Sequence, residues 1–141
     1  MDGLLLEPGE GTVLGTPTPS AHGSVTIKVA TDAMTLFEAH RPKGEPGGPE
    51  RHSHPGFDET FYVLSGEWDF TVGDRALRAG AGAVVYVPRG AFHAFESTGR
   101  LDGKFIGVAV PGGIEDYFEE AARTADQHAA ASHHGIVYAE D

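Results

Sequence analysis

The sequence of 141 residues contains no cysteine. Disulfide bonds are therefore excluded, and so are metal sites built from thiolates. Any metal that this chain binds must be held by nitrogen and oxygen atoms. The absence of one residue type thus narrows the possible chemistry of a site considerably.

Basic residues are also few, because 10 lysines and arginines stand against 21 aspartates and glutamates, a formal net charge of −11. Nucleic acids and anionic membrane surfaces select for basic patches, so neither is an expected partner. The same acidity slightly favours a neutral or weakly ionised substrate. No apolar run reaches transmembrane length, and residues 1–7 lack the basic start and apolar core of a signal peptide. The expected location is the cytoplasm.

Glycine and proline, in contrast, are abundant. The 20 glycines and 9 prolines are scattered between short apolar runs, which is typical of many short strands joined by tight turns. Trp68, Phe70 and Val72 alternate with polar residues and predict a half-buried strand, whereas residues 83–87 are apolar on both faces and are expected to be buried on both. The predicted strands are residues 24–30, 33–40, 57–65, 68–72, 83–87, 91–97 and 104–110.

The hydrophobic period changes after the last of these strands. Apolar residues then recur at helical spacing, and acidic residues occupy the first turn, where the helix dipole favours them. This pattern predicts one helix over about residues 113–130 that covers a sheet face. The residues that set the period are Ile114, Tyr117, Phe118, Ala121 and Ala122.

The length fits a single domain spanning residues 1–141. Residues 1–23 are expected to form an N-terminal arm, and residues 131–141 a tail in which 135–138 could add an edge strand. The order of elements predicts an all-β fold, a barrel or double-sheet sandwich over residues 24–110, with one C-terminal α-helix.

Three histidines and one glutamate form the most informative pattern. His52 and His54 are separated by one residue in a strand-like segment, so their imidazoles share a face. Glu59 offers a carboxylate nearby, and His93 offers a third imidazole from a second such segment. Because Glu59 shares its strand face with Phe61, the carboxylate would point into an apolar interior, where it needs a partner. This set suits one divalent metal ion, Fe, Mn, Ni, Co or Zn.

Two spacings indicate a family resemblance. Residues 52–66 read His-x-His-x4-Glu-x6-Gly, and residues 82–97 read Gly-x5-Pro-x-Gly-x2-His-x3-Ser. The chain thereby resembles the cupin family of small jelly-roll β-barrels, in particular members similar to quercetin dioxygenases. It departs from the family motifs at Pro46, where glycine is usual, and at Ser97, where asparagine is usual.

The resemblance implies that His52, His54, Glu59 and His93 are the metal ligands of a jelly-roll barrel. It further implies that Glu59 accepts a proton from a substrate hydroxyl, a role suited to a carboxylate beside a metal. It also implies a homodimer in which the N-terminal segment crosses to the partner.

Aromatic side chains can either fill the core or line a substrate pocket. Phe61, Trp68 and Phe95 are the predicted pocket residues. Three further aromatic residues are expected in the core: Phe70, Tyr86 and Phe105.

Three functions remain open at this level. The first is a metal-dependent dioxygenase or related oxygenase that acts with O2 on a small aromatic or enolisable molecule. The second is a non-redox enzyme, an isomerase, cyclase or lyase, that uses the metal as a Lewis acid. The third is a small-molecule binding protein without catalysis, since one fold hosts many functions.

Overall fold

A computed structural model describes residues 3–15 and 23–139 of the chain. Within these ranges the backbone forms eleven β-strands and two α-helices. In chain order the elements are β1 (Thr12–Gly15), β2 (Ser24–Ala30), β3 (Thr35–Arg41), β4 (His52–Ser53), β5 (Asp58–Ser65), β6 (Trp68–Val72), β7 (Arg75–Ala79), β8 (Val84–Val87), β9 (His93–Ser97), β10 (Gly103–Val110), α1 (Ile114–Thr124), α2 (Gln127–His133) and β11 (Val137–Tyr138).

The strands form two antiparallel sheets. One sheet has six strands in the order β1-β2-β3-β10-β5-β8, and the other has five in the order β11-β4-β9-β6-β7. Strand β10 lies between β3 and β5, so the centre of the larger sheet is built from long-range pairs. This arrangement confirms the predicted all-β, double-sheet architecture.

The inner faces of the sheets meet in an aromatic core. Trp68, Phe61, Phe70 and Phe105 are each at most 1% exposed. The ring centroids of Trp68 and Phe105 lie 4.8 Å apart in an edge-to-face arrangement, which suits the quadrupoles of the two rings. Burial alternates along β6, as the sequence predicts, because Trp68 and Phe70 face inward while Asp69 between them does not.

Strand β3 extends one residue beyond its predicted end. Its burial alternates along the whole strand, so Thr35, Phe37, Ala39 and Arg41 all lie on the inner face. The charged side chain of Arg41 therefore lies on the inner face of the six-stranded sheet, at the end of β3.

The expectation that residues 83–87 are buried on both faces is wrong. Val85 and Val87 are buried, but Val84 is 58% exposed and Tyr86 is 56% exposed. The reason is that the outer face of the six-stranded sheet is open here, since Tyr62 on the neighbouring strand β5 is likewise 46% exposed. This face is not covered by another layer of the described chain.

The single helix predicted over residues 113–130 is two helices in the structure. Helix α1 ends at Ala125, whose left-handed backbone (φ 55°) turns the chain, and the side chain of Asp126 then caps α2 by accepting a hydrogen bond from the Ala129 amide. Ile114, Tyr117 and Ala121 form the buried side of α1, as the predicted helical spacing requires. Neither helix is long and apolar enough to cross a bilayer.

The termini contain more strand than predicted. Part of the expected N-terminal arm is β1, which pairs with β2 of the same chain; residues 1–2 and 16–22 of the arm lie outside the described ranges. The predicted edge strand in the tail is present as β11, and it pairs with β4. Strand β4 lies in the strand-like segment expected around His52, whereas β7 was not predicted from the sequence.

Candidate metal centre

Three buried imidazoles converge between the sheets. His52, His54 and His93 are 8%, 4% and 1% exposed, and each contributes a ring nitrogen to a group whose members all lie within 4.8 Å of one another. The backbone explains the convergence, because His52 in β4 is the register partner of His93 in β9. His54 follows β4 two residues later and therefore shares the face of His52.

Backbone carbonyls fix the orientation of two of these rings. The Nδ1–H of His52 donates to the Glu50 carbonyl oxygen at 2.7 Å, and the Nδ1–H of His93 donates to the Ala91 carbonyl oxygen at 3.0 Å. Since a carbonyl can only accept, the proton of each neutral ring lies on Nδ1 and the lone pair on Nε2. Such a contact holds a ligand histidine in the tautomer that a metal requires.

Glu59 brings a carboxylate to the same group. It lies on β5, is 3% exposed, and its Oε1 is 2.7 Å from His54 Nε2 and 3.9 Å from His93 Nε2. The 2.7 Å contact between Glu59 and His54 lacks the alignment of a hydrogen bond, so Glu59 Oε1 is buried without a hydrogen-bond partner. His93 Nε2 is also buried without one. Buried polar atoms normally have a hydrogen-bond partner, so we expect Glu59 Oε1 and His93 Nε2 to bind a further group.

The donor set fits a divalent metal ion. Imidazole nitrogens suit first-row transition metals, and the three buried histidines are close enough to bind one ion together. A cation among them would also satisfy the buried atoms of Glu59 and His93 that lack partners.

The protonation states match those of ligands. Burial lowers the pKa of His52 to about 3, and the neighbouring His93 and His54 add to the effect. Burial likewise lowers the pKa of His93. Burial alone would raise the pKa of Glu59, but the surrounding histidines, His54 foremost, hold it below its ordinary value. At neutral pH, His52 and His93 are therefore neutral and Glu59 is ionised, as metal binding requires.

A cavity of about 90 Å³ adjoins the three groups His52, His54 and Glu59. The predicted pocket residues Phe61, Trp68 and Phe95 all line it. Phe105, which was expected in the core, lines the cavity as well and is fully buried. Phe70 lies in the core as expected, whereas the expectation for Tyr86 is wrong because its side chain is exposed on β8.

Two tyrosines that the sequence analysis did not single out also line the cavity. Tyr138 is the register partner of His52 across β11 and β4, and its ring stacks on His128 at 4.2 Å between centroids. Burial and a hydrogen bond to Tyr138 raise the pKa of Tyr117. The helical spacing marks Tyr117 as inward-facing, but nothing local in the sequence indicates the pairing of Tyr138 with His52.

Arg41 is a third wall residue that the sequence analysis missed. It is 5% exposed, and its Nη2 donates to the Pro46 carbonyl oxygen at 2.9 Å. The period-2 alternation of β3 contains the signal, because one more residue on the predicted strand places Arg41 inward with Phe37 and Ala39.

Comparisons with known proteins agree with this architecture. The family model described as Cupin domain matches residues 37–109. No curated protein sequence gives a significant match. Among solved structures, an RmlC-like cupin from Shewanella frigidimarina has a TM-score of 0.66 at 16% identity, covering 81% of this chain and 96% of that chain.

Two further solved structures of similar fold are described by a reaction. Pac13, described as a unique nucleoside dehydratase, has a TM-score of 0.62 at 16% identity and covers 81% of this chain and 87% of that chain. A predicted oxalate decarboxylase from Thermotoga maritima has a TM-score of 0.62 at 23% identity and covers 77% of this chain and 99% of that chain. At these identities the likeness concerns the fold.

Acid should destabilise the metal-free protein. Folded His52 stays neutral down to a pKa of about 3, whereas an unfolded histidine takes up a proton near pH 6.5. Between these values the unfolded state binds more protons than the folded state. The free energy of unfolding therefore decreases as the pH is lowered, by about 1.4 kcal/mol per pH unit for one proton. The lowered pKa of Glu59 acts in the same direction below about pH 4.3.

Urea unfolding of chelator-treated protein from pH 8 to pH 4 measures this slope. We expect His52→Gln to flatten it, because that variant lacks the buried imidazole. Equal slopes in wild type and His52→Gln would contradict the assignment.

Proposed function

Because the chain belongs to the cupin family, we propose that it is a mononuclear metal-dependent enzyme, an oxygenase acting on a small aromatic or enolisable molecule. The observation that supports this most directly is the convergence of three buried imidazoles and one buried carboxylate beside a cavity with an aromatic wall. A structural role alone does not account for four ionisable groups at one interior position, because their burial is costly.

The proposed ligands are His52, His54, His93 and Glu59, and the ion is Fe, Mn, Ni, Co or Zn. When bound, such an ion would polarise a substrate oxygen and, if redox-active, support chemistry with O2. Two of the imidazoles are held in place by the carbonyls of Glu50 and Ala91. The orientation of these two rings is thus set by the backbone segments that lead into β4 and β9.

Glu59 is proposed to act as a general base as well as a ligand. Its carboxylate is ionised, buried and free of hydrogen bonds at Oε1, so that atom can accept a proton from a substrate hydroxyl.

The aromatic wall gives the cavity its selectivity for apolar groups. Phe61 and Trp68 are fully buried and Phe95 is partly buried, so a substrate that enters loses its water and meets ring faces and edges. Exclusion of water strengthens the interaction of Glu59 with a substrate proton, because the local dielectric constant is low.

A non-redox reaction at the same site is the second candidate. The specific observation behind it is that two proteins of similar fold are described as a nucleoside dehydratase and a predicted oxalate decarboxylase. The same ligands would then serve Lewis-acid chemistry without O2.

Removal of one ligand should abolish stoichiometric metal binding. We expect about one equivalent of a divalent metal in wild type and less than about a tenth in His52→Ala or His93→Ala, since a buried site that loses one ligand loses affinity steeply. Mass spectrometry of tag-free protein measures the content. His133→Ala, on an exposed helical histidine, is the matched control and should bind as wild type does. A full complement in either ligand variant would show that the site is wrongly placed.

Oxygen consumption distinguishes the two candidate reactions. Metal-loaded protein is screened against flavonols, diketones and catechols with an oxygen electrode. We expect Glu59→Gln to lower kcat per bound metal by about 100-fold or more, as for loss of a general base, and Glu119→Gln on the exposed side of α1 to have no effect. Undiminished turnover without O2 would establish the non-redox reaction instead, and ligand binding without turnover would establish a binding protein.

We also propose that the protein is a homodimer. The outer side of the six-stranded sheet exposes neighbouring apolar residues, since Tyr62 is 46% exposed and is the register partner of Val84. A second copy would cover this surface, and exposed apolar patches of this kind mark interfaces.

The cytoplasmic location expected from the sequence likewise stays a prediction.

Light scattering at micromolar concentration should give twice the chain mass of 14.9 kDa. Val84→Glu should shift the protein to monomers by placing a charge in the interface, whereas Leu101→Glu, at an exposed loop residue, should not. A monomeric wild type would refute the dimer.

A further inference from the structure

Arg41 is a buried cation in an apolar cavity. It is the last residue of β3 and is 5% exposed, and it lines the same cavity as His52 and Glu59. Trp68 and Phe105 are among the other wall residues. A guanidinium at such a place is costly unless its charge and its donors find partners.

The protein itself provides few of these partners. One of the five guanidinium N–H donors binds the Pro46 carbonyl through Nη2, at 2.9 Å, and Nε is buried without a hydrogen-bond partner. In residues 3–15 and 23–139 no carboxylate oxygen comes within 4.0 Å of the Arg41 nitrogens; Glu45 acts on them from a greater distance. Burial lowers the pKa of Arg41 and Glu45 opposes this, but arginine keeps its charge at neutral pH in either case.

The side chain is held in one position. A Cβ on Gly23 would lie 2.7 Å from Arg41 Cδ, and one on Gly47 would lie 3.2 Å from Arg41 Nη2. The absence of side chains at these two glycines lets the backbone approach the arginine closely from two segments. The guanidinium is therefore preorganised rather than free to move to solvent.

We propose that Arg41 is an anion-binding subsite of the cavity, and that the ligand of this site is a small carboxylate with an apolar body. A carboxylate would compensate the charge of Arg41 through a charge-assisted, bidentate contact with its terminal guanidinium N–H groups. The aromatic wall would enclose its apolar part. The anion site is inferred from the geometry of Arg41 alone. The further inference that Arg41 selects the substrate rests on the proposed enzymatic function.

The position of Arg41 also orients the ligand. Along β10, the register partner of Arg41 is Gly103 and that of Glu59 is Ala109. The two residues therefore lie at different levels along the same sheet, Arg41 at the level of Gly103 and Glu59 at the level of Ala109. The anionic end of the substrate would therefore lie away from the histidines and leave the opposite end for reaction. The overall acidity of the chain does not exclude such a ligand, because the interior charge at Arg41 is local.

A purely structural role is the competing explanation. In that role Arg41 would serve only to hold the loop at Pro46 through one hydrogen bond. A neutral donor could make that bond without burying a charge. The two explanations differ in whether the cavity distinguishes an anion from its neutral isostere.

The experiment compares benzoate with benzamide as probes. Trp68 is the only tryptophan of the chain and lines the cavity, so its fluorescence reports occupancy. Titrations use full-length His93→Ala protein treated with a chelator, so that metal coordination does not contribute to the affinity. We expect benzoate to bind about ten-fold or more tightly than benzamide, a preference that Arg41→Gln removes and Arg100→Gln, at an exposed arginine, retains.

Equal affinity for benzoate and benzamide would overturn the anion site, and so would a preference that persists in Arg41→Gln. If Arg41→Gln does not fold, Arg41→Lys tests the bidentate contact, and we expect it to weaken benzoate binding while the fold remains. Metal content is measured in a separate experiment. The benzoate result can therefore be interpreted even if the protein proves not to be a metal enzyme. If the active wild-type enzyme has a lower kcat/KM for acids than for their amides, Arg41 does not select the substrate.

Discussion

The pairing of His52 with His93 is the contact on which the site depends. Strand β4 contains two residues, and a single register pair joins it to β9. Because side chains alternate between faces, a slip by one residue would turn both His52 and His54 away from His93. The neighbouring strand β11 holds β4 from its other side, so a very short strand is fixed by two ladders. The positions of His52 and His93 are therefore set by the sheet, and His54 directly follows one of its strands.

Burial acts in opposite ways on the ionisable groups of this interior. It lowers the pKa of His52 and His93, which keeps these rings neutral and ready to donate lone pairs. Arg41 cannot respond in the same way, since arginine remains charged, and its cost persists until an anion arrives. Glu59 is intermediate, because the histidines around it compensate for its desolvation. The cavity thus combines one region suited to a cation with another suited to an anion.

Local pattern predicts much of this structure, and its failures have physical reasons. Alternation identifies the inward faces of β5 and β6, and with them the direction of Glu59 and Trp68. It cannot show whether a second layer covers an apolar strand, which is why Tyr86 was placed in the core. The register that sets Tyr138 beside His52 is a long-range pairing with no local signal. The helix was predicted too long because the alanine-rich sequence after Thr124 favours helix, while the break depends on the backbone of Ala125 and the cap at Asp126.

The position of β11 beside β4 has a consequence for how the protein is made. Chains emerge from the ribosome from the N terminus, and contacts form as their residues become available. Strands β4 and β9 can pair once His93 has emerged, but β4 keeps an open edge until synthesis has passed Tyr138. Because a domain generally folds as a unit, the sheet that positions His52 is complete only once β11 has been made and has closed the edge beside it.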